Sequence, residues 1–261
     1  MKLVGLIRCD KDIAPTSLGH YGFRIFLELT PMVVVTKFTW ENRMQNYLES
    51  ELKSLQHQLL KMGGIAENML RDAIQSIQEQ DEDLALRVIA IDDTVDKLEN
   101  EIEEKCIQLI ARHQPVAFEL RFLTMTLKIN RNIERLADKC VSIARRSLEL
   151  MTFPPIQGAI DLQPVTQLIQ QMVNDAFDAL VNRNADLAKA LRERDNKVDE
   201  IYEKMMQDLC SILIDQPQRI QSGFGNLLLY RHLERIGDLA ANIGEEVYYL
   251  VKGEVIRHSD L

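Results

Sequence analysis

From Met44 almost to its end, the chain repeats apolar residues every three and four positions, the period of an α-helix with one buried face. Leu48, Leu52, Leu55, Leu59, Met62, Met69, Ala73, Ile74 and Ile77 predict a first helix over about 45–79, bent or weakened at Gly63-Gly64. Asp81-Glu82-Asp83 opens a second, since acids suit the positive end of a helix dipole. Its stripe runs Leu84, Val88, Ile91, Val95, Leu98, Ile102, Cys106 and Leu109, and Gln114-Pro115 stops it. A third helix carries Leu120, Leu123, Leu127, Ile133, Leu136 and Cys140 towards Met151.

Phe153-Pro154-Pro155-Ile156-Gln157-Gly158 is the clear linker. Beyond it, helix four runs from Leu162 to about Val181, and Asn182-Arg183-Asn184 turns the chain. Helix five carries Leu187, Leu191, Val198, Ile201, Met205 and Leu209. Pro217 and Gly223-Phe224-Gly225 mark the next connection, and Leu233, Ile236, Ala240, Ile243, Val247 and Leu250 form helix six. The reading is all-α: one three-helix unit over 44–153 and a second over 159–258. Residues 1–43 do not share the pattern. Five Gly and Pro residues interrupt them, and Val33-Val34-Val35-Thr36 suggests either a short strand-forming arm or a start codon placed upstream of Met44.

The two units repeat in sequence. Asp92-Asp93-Thr94-Val95-Asp96 is matched by Asp195-Asn196-Lys197-Val198-Asp199, and Glu134-Arg135-Leu136-Ala137-Asp138 by Glu234-Arg235-Ile236-Gly237-Asp238. Each phrase sets two carboxylates at i and i+4, on one helix face about a turn apart, where like charges repel by a few tenths of a kcal/mol. Glu99 and Glu103 extend the first acidic row, Asn130 and Ser142 align with Glu134 and Asp138, and Asn242 aligns with Glu234 and Asp238.

Two readings of these rows stand side by side. In one, Arg131, Arg135, Arg231 and Arg235, each three positions before a motif acid, neutralise a solvated polar face. In the other, the recurrence of four motifs in register marks ligands for a hard cation, since the donors are all oxygen. A di-iron carboxylate bundle needs Glu-x-x-His, and none of the five histidines lies three after a glutamate. His232 reads as a surface neighbour of the last motif.

Composition narrows the classes. A net charge of −9 argues against nucleic acid as a partner. Four cysteines without Cys-x-x-Cys spacing suggest neither a zinc knuckle nor a disulfide framework and fit a reducing cytosol. No apolar run reaches membrane-spanning length, so a soluble internal protein is expected. No nucleophile constellation, phosphate loop or nucleotide fingerprint appears, and the chain is not read as an enzyme.

Val95-Asp96, Leu98-Glu99, Ile102, Cys106 and the run Leu109 to Ala117, with Glu134 to Asp138, closely resemble the PhoU family. So does the stretch from Leu233 to Ala240, continued by Asn242-Ile243, Glu245-Glu246-Val247 and Leu250-Val251, and the resemblance covers about 45–258. It implies two tandem three-helix bundles related by a pseudo-twofold. It also implies a cytoplasmic negative regulator of phosphate uptake and of the phosphate-starvation response. Its partners would be the transporter ATPase PstB and the sensor histidine kinase PhoR. Iron, zinc, magnesium or manganese would bind at Asp92, Asp96, Glu134, Asp138, Asp195, Asp199, Glu234 and Asp238, with Asn242 added in the second half. Ser142 stands where the family often has Asn, which would weaken the first site. A homodimer and peripheral contact with the cytoplasmic membrane face are further expectations. A carboxylate-bridged iron-storage bundle is the alternative.

Overall fold

A computed structural model describes residues 22–156 and 160–256, with side chains described from Asn46 onward. Among the described residues there are six α-helices and no strand: α1 (Gly22–Glu79), α2 (Glu82–His113), α3 (Ala117–Met151), α4 (Gln163–Asn182), α5 (Ala185–Asp215) and α6 (Ile220–Lys252). A single 3-10 turn, Pro217–Arg219, precedes α6. The chain divides into a unit ending at Glu49 and a compact body from Ser50 to Leu261.

Two sequence expectations are corrected. The backbone is helical from Gly22, so Val33 to Thr36 do not form a strand. Their β-branched preference is a weak, context-dependent bias that helix propagation overrides. The rest of the expected arm, before residue 22, lies outside the described residues. α1 runs unbroken through Gly63-Gly64. Gly63 makes room for a neighbour, since a Cβ there would sit 2.6 Å from Cε1 of Phe177 on α4. Gly223 and Gly225 lie inside α6 rather than in a connection. They admit Leu213 and Leu150 against the helix backbone, so their missing side chains serve close packing and not a turn.

Helix starts are repeated along with the motifs. Asp81 Oδ1 accepts a hydrogen bond from the Leu84 amide at 2.9 Å and begins α2. Asn184 Oδ1 accepts from the Asp186 and Leu187 amides, both at 3.1 Å, and begins α5. Each cap contributes about 1 kcal/mol.

The sequence stripes are the core. Leu55, Leu59, Met62 and Met69 of α1, Val95 and Ile102 of α2, Ile133 and Leu136 of α3, and Leu191 and Val198 of α5 are almost wholly enclosed. A fully buried side chain of this kind contributes roughly 1.5–3 kcal/mol of transfer free energy. Leu120 departs from its stripe and is 39% exposed in the first turn of α3.

α3 and α6 form the centre, with α2 packed on α3, α5 on α6, and α4 against both α5 and α6. The central pair is antiparallel. Lys128, early in α3, reaches Glu246, late in α6, at 3.2 Å. Gly225, early in α6, faces Leu150 at the end of α3, with 2.7 Å between an added Cβ and Leu150 Cδ2. Lys105 of α2 meets Glu51 of α1 at 3.1 Å.

Candidate metal centre

Helical periodicity places Asp92 and Asp96 on α2 and Glu134 and Asp138 on α3, while Asp195 and Asp199 stand on α5 and Glu234 and Asp238 on α6. Because α2 packs on α3 and α5 on α6, each half gathers four carboxylates at one two-helix seam. Mutual repulsion shows the gathering. Burial, then Asp96 and Asp138, raise the Asp92 pKa above the usual carboxylate range. Burial and Asp138 also raise that of Glu134, against the pull of Arg131.

The second seam is more enclosed at its centre. Asp195 is only 4% exposed. Burial first, then the charges of Asp238 and Asp199, push its pKa up to about 7, with Arg192 opposing. Asp199 and Glu234 are raised as well, each chiefly by burial and then by Asp238. Gly237 lies against this carboxylate. A Cβ there would be 3.5 Å from Asp195 Oδ1 and 3.3 Å from Val198 Cγ1, so its absence leaves space beside the acid.

Two observations bear on whether these residues suit a metal ion. Glu134 Oε2 and Asp195 Oδ1 are buried and accept no hydrogen bond, one orphaned carboxylate oxygen in each half. Such an atom carries a desolvation cost that a cation would offset. The donor chemistry is all oxygen and fits a hard cation. Against this, no group of three or more Asp, Glu, His or Cys among the described residues converges as a ready-made ligand set. Arginines stand close instead: Arg131 lies 3.8 Å from Glu134, Arg192 3.8 Å from Asp195, and Arg235 3.6 Å from Glu234 and 2.6 Å from Asp238. The oxygen chemistry suits a hard cation, and arginines stand against Glu134, Asp195, Glu234 and Asp238 where one would sit.

Of the four arginines expected from the i, i+3 spacing, Arg131 and Arg235 make that pair. Arg192 was missed, although it stands three before Asp195 and the same rule would have found it. It also reaches Glu245 of α6 at 3.5 Å. Its cation has a different source in the first half, where Arg145 of α3 acts on Asp92. Asn242 is half-buried one turn after Asp238. The Ser142 hydroxyl donates to the Asp138 carbonyl at 2.9 Å. His232 is half-buried, and burial followed by Lys139, Arg146 and Arg231 lowers its pKa, so its charged neighbours are cations rather than the motif acids.

Comparison with known proteins agrees with this doubled arrangement. The PhoU domain model matches twice, over residues 59–147 and 162–247. A phosphate-specific transport system accessory protein PhoU homolog of Pseudomonas aeruginosa is 32% identical over 229 residues, covering 87% of this chain and 95% of the relative. The phosphate-specific transport system accessory protein PhoU of Escherichia coli is 35% identical over 209 residues, covering 80% and 87%. The crystal structure of PhoU from Pseudomonas aeruginosa superposes with a TM-score of 0.77 at 33% identity, covering 79% of this chain and 99% of that one. The phosphate transport system regulatory protein PhoU from Streptococcus pneumoniae gives 0.74 at 26% identity, covering 82% and 100%. With both repeats matched and relatives above 30% identity over most of their length, the chain belongs to the PhoU family.

Proposed function

We propose that this chain is an accessory regulator of a phosphate-specific transport system, restraining phosphate uptake and the phosphate-starvation response. In this reading it is a cytoplasmic, non-catalytic adaptor that contacts a PstB-type ATPase and a PhoR-type histidine kinase and works as a homodimer. Family membership and the names of its relatives support the transport role. No helix among the described residues is long and apolar enough to cross a membrane, and contact with the cytoplasmic membrane face would be peripheral.

The observation that carries the metal-dependent part is the pair of four-carboxylate seams, each with a buried oxygen that no protein donor satisfies. Asp92, Asp96, Glu134 and Asp138 would hold a cation in the first half. Asp195, Asp199, Glu234 and Asp238 would hold one in the second, with Asn242 in reach of the same row. A bound cation supplies positive charge that offsets carboxylate repulsion and can be shared with acidic groups on a partner. The protein supplies the opposed helices and keeps Asp195 of the second seam out of water.

Deleting the gene in its host and restoring either wild type or Asp195→Asn/Asp199→Asn/Glu234→Gln/Asp238→Asn tests both parts. Deletion should raise phosphate uptake and a starvation reporter in phosphate-rich medium, and the variant should fail to restore repression. An unchanged reporter on deletion would remove the regulatory role. Full restoration by the variant would remove the metal requirement and leave the regulatory role standing.

A further inference from the structure

The acidic row of α2 does not stop at the motif. Glu99 and Glu103 continue it by one turn and then another, and both line a cleft of about 300 Å³ shared with Leu127, Asn130 and Arg131 of α3. Asn130 is 2% exposed. Its Nδ2 donates to the Glu99 main-chain carbonyl at 2.9 Å. A carbonyl can only accept, so this bond fixes the amide orientation and leaves Oδ1 as the free end. That Oδ1 is buried and has no hydrogen-bond partner.

The Glu99 side chain is 13% exposed and meets the Arg131 guanidinium at 3.0 Å. Arg131 itself is 64% exposed and also stands 3.8 Å from Glu134. It is therefore free at its outer side and has a second acid to go to. If it moves, two carboxylates and an orphaned amide oxygen remain around a cleft wide enough for an ion that keeps part of its water.

We propose that Glu99, Glu103 and Asn130 Oδ1 form a divalent-cation site beside the first motif seam, with Arg131 as its competing cation. The second repeat has no equivalent of it. With the repeat offsets of 103 in α2 and 100 in α3, the counterparts of Glu99, Glu103 and Asn130 are Tyr202, Met206 and Tyr230. Only the arginine recurs, as Arg231. The second half therefore keeps the cation and lacks the hard oxygen donors.

Mn²⁺ titration of the full chain, followed by electron paramagnetic resonance of the free ion, tests this. The variants are Glu99→Gln/Glu103→Gln, Glu103→Gln alone, Arg131→Gln, and a motif variant with Asp92→Asn/Asp138→Asn/Asp195→Asn/Asp238→Asn. Glu103 is exposed, so its single change leaves the fold intact even if the double variant is weakened. The double variant should lose one Mn²⁺ equivalent, the single variant should bind that equivalent more weakly, and Arg131→Gln should bind it more tightly. The motif variant should retain it. Undiminished binding in both glutamate variants overturns the proposal and leaves the motif reading intact. A single wild-type equivalent that the double variant abolishes and the motif variant keeps supports the proposal while removing metal from the motifs. A salt bridge of purely structural purpose would make Arg131→Gln less stable without tightening Mn²⁺, which also overturns it.

Discussion

Lys128 and Glu246 join the two halves across the α3–α6 seam, their charged ends 3.2 Å apart. The Glu246 side chain is 5% exposed and that of Lys128 51%, so the lysine closes the outer side of an otherwise enclosed acid. Removing one partner of a buried pair leaves a charge that water cannot reach. Lys128→Met should lower the unfolding free energy by roughly 1–3 kcal/mol, below the fully buried range because the lysine is half in solvent. Denaturant melts of this variant beside Lys128→Met/Glu246→Gln would show it. The double variant should recover part of the loss.

Gly237→Ala separates packing from ligand space. Alanine gains up to about 1 kcal/mol over glycine in a helix. The added methyl would stand 3.3 Å from Val198 Cγ1, and the equivalent position of the first half already carries Ala137. Stability should change by less than about 1 kcal/mol in either direction. Cation binding at the second seam should weaken, since the methyl occupies the space beside Asp195 Oδ1. Equal binding by both forms in calorimetric titration would show that this space is not used.

Asp195 makes the metal-free protein sensitive to pH. Its folded pKa of about 7 lies above the unfolded value near 3.9. The folded state therefore holds the proton more tightly, and stability falls as pH rises from about 4 through 7. Asp195→Asn should flatten this stretch of the stability curve in the presence of chelator, and the variant should exceed wild type at pH 8. A divalent cation should raise the wild-type melting temperature at pH 8 more than that of the variant. Parallel pH curves for the two proteins would show that Asp195 is not the titrating group.

Thiol reactivity should follow burial. Cys106 and Cys140 are enclosed, and burial pushes the Cys106 thiol up to about 12 and raises Cys140 further, whereas Cys210 is exposed. Iodoacetamide at pH 8 should alkylate Cys210 in the native protein and reach Cys106 and Cys140 only on unfolding. Mass spectrometry of tryptic peptides reads this directly.

Helix identity and the duplication were legible because each depends on spacing along the chain. Val95 and Val198 pin the core faces, and the acids beside them had only one place to go. What crosses between helices was less legible. The Arg131 pair with Glu99 depends on α3 lying beside α2, which the i, i+3 rule does not encode. Gly223 and Gly225 looked like a loop because a glycine serves a turn and a close helix approach equally well, and only the positions of Leu213 and Leu150 distinguish them. The helical backbone over Val33 to Thr36 was hidden by residue preferences that favour strands.

The antiparallel α3–α6 seam has a consequence for origins. A contact that joins the last helix of one repeat to the last helix of the next, with the two running in opposite directions, has the geometry of a face meeting its own copy. A single ancestral repeat could have covered that face only by pairing with a second molecule. Gene fusion would then have tied the pair together, and once tethered the two copies were free to diverge. Glu99 and Glu103 in one row against Tyr202 and Met206 in the other would be one result of that freedom.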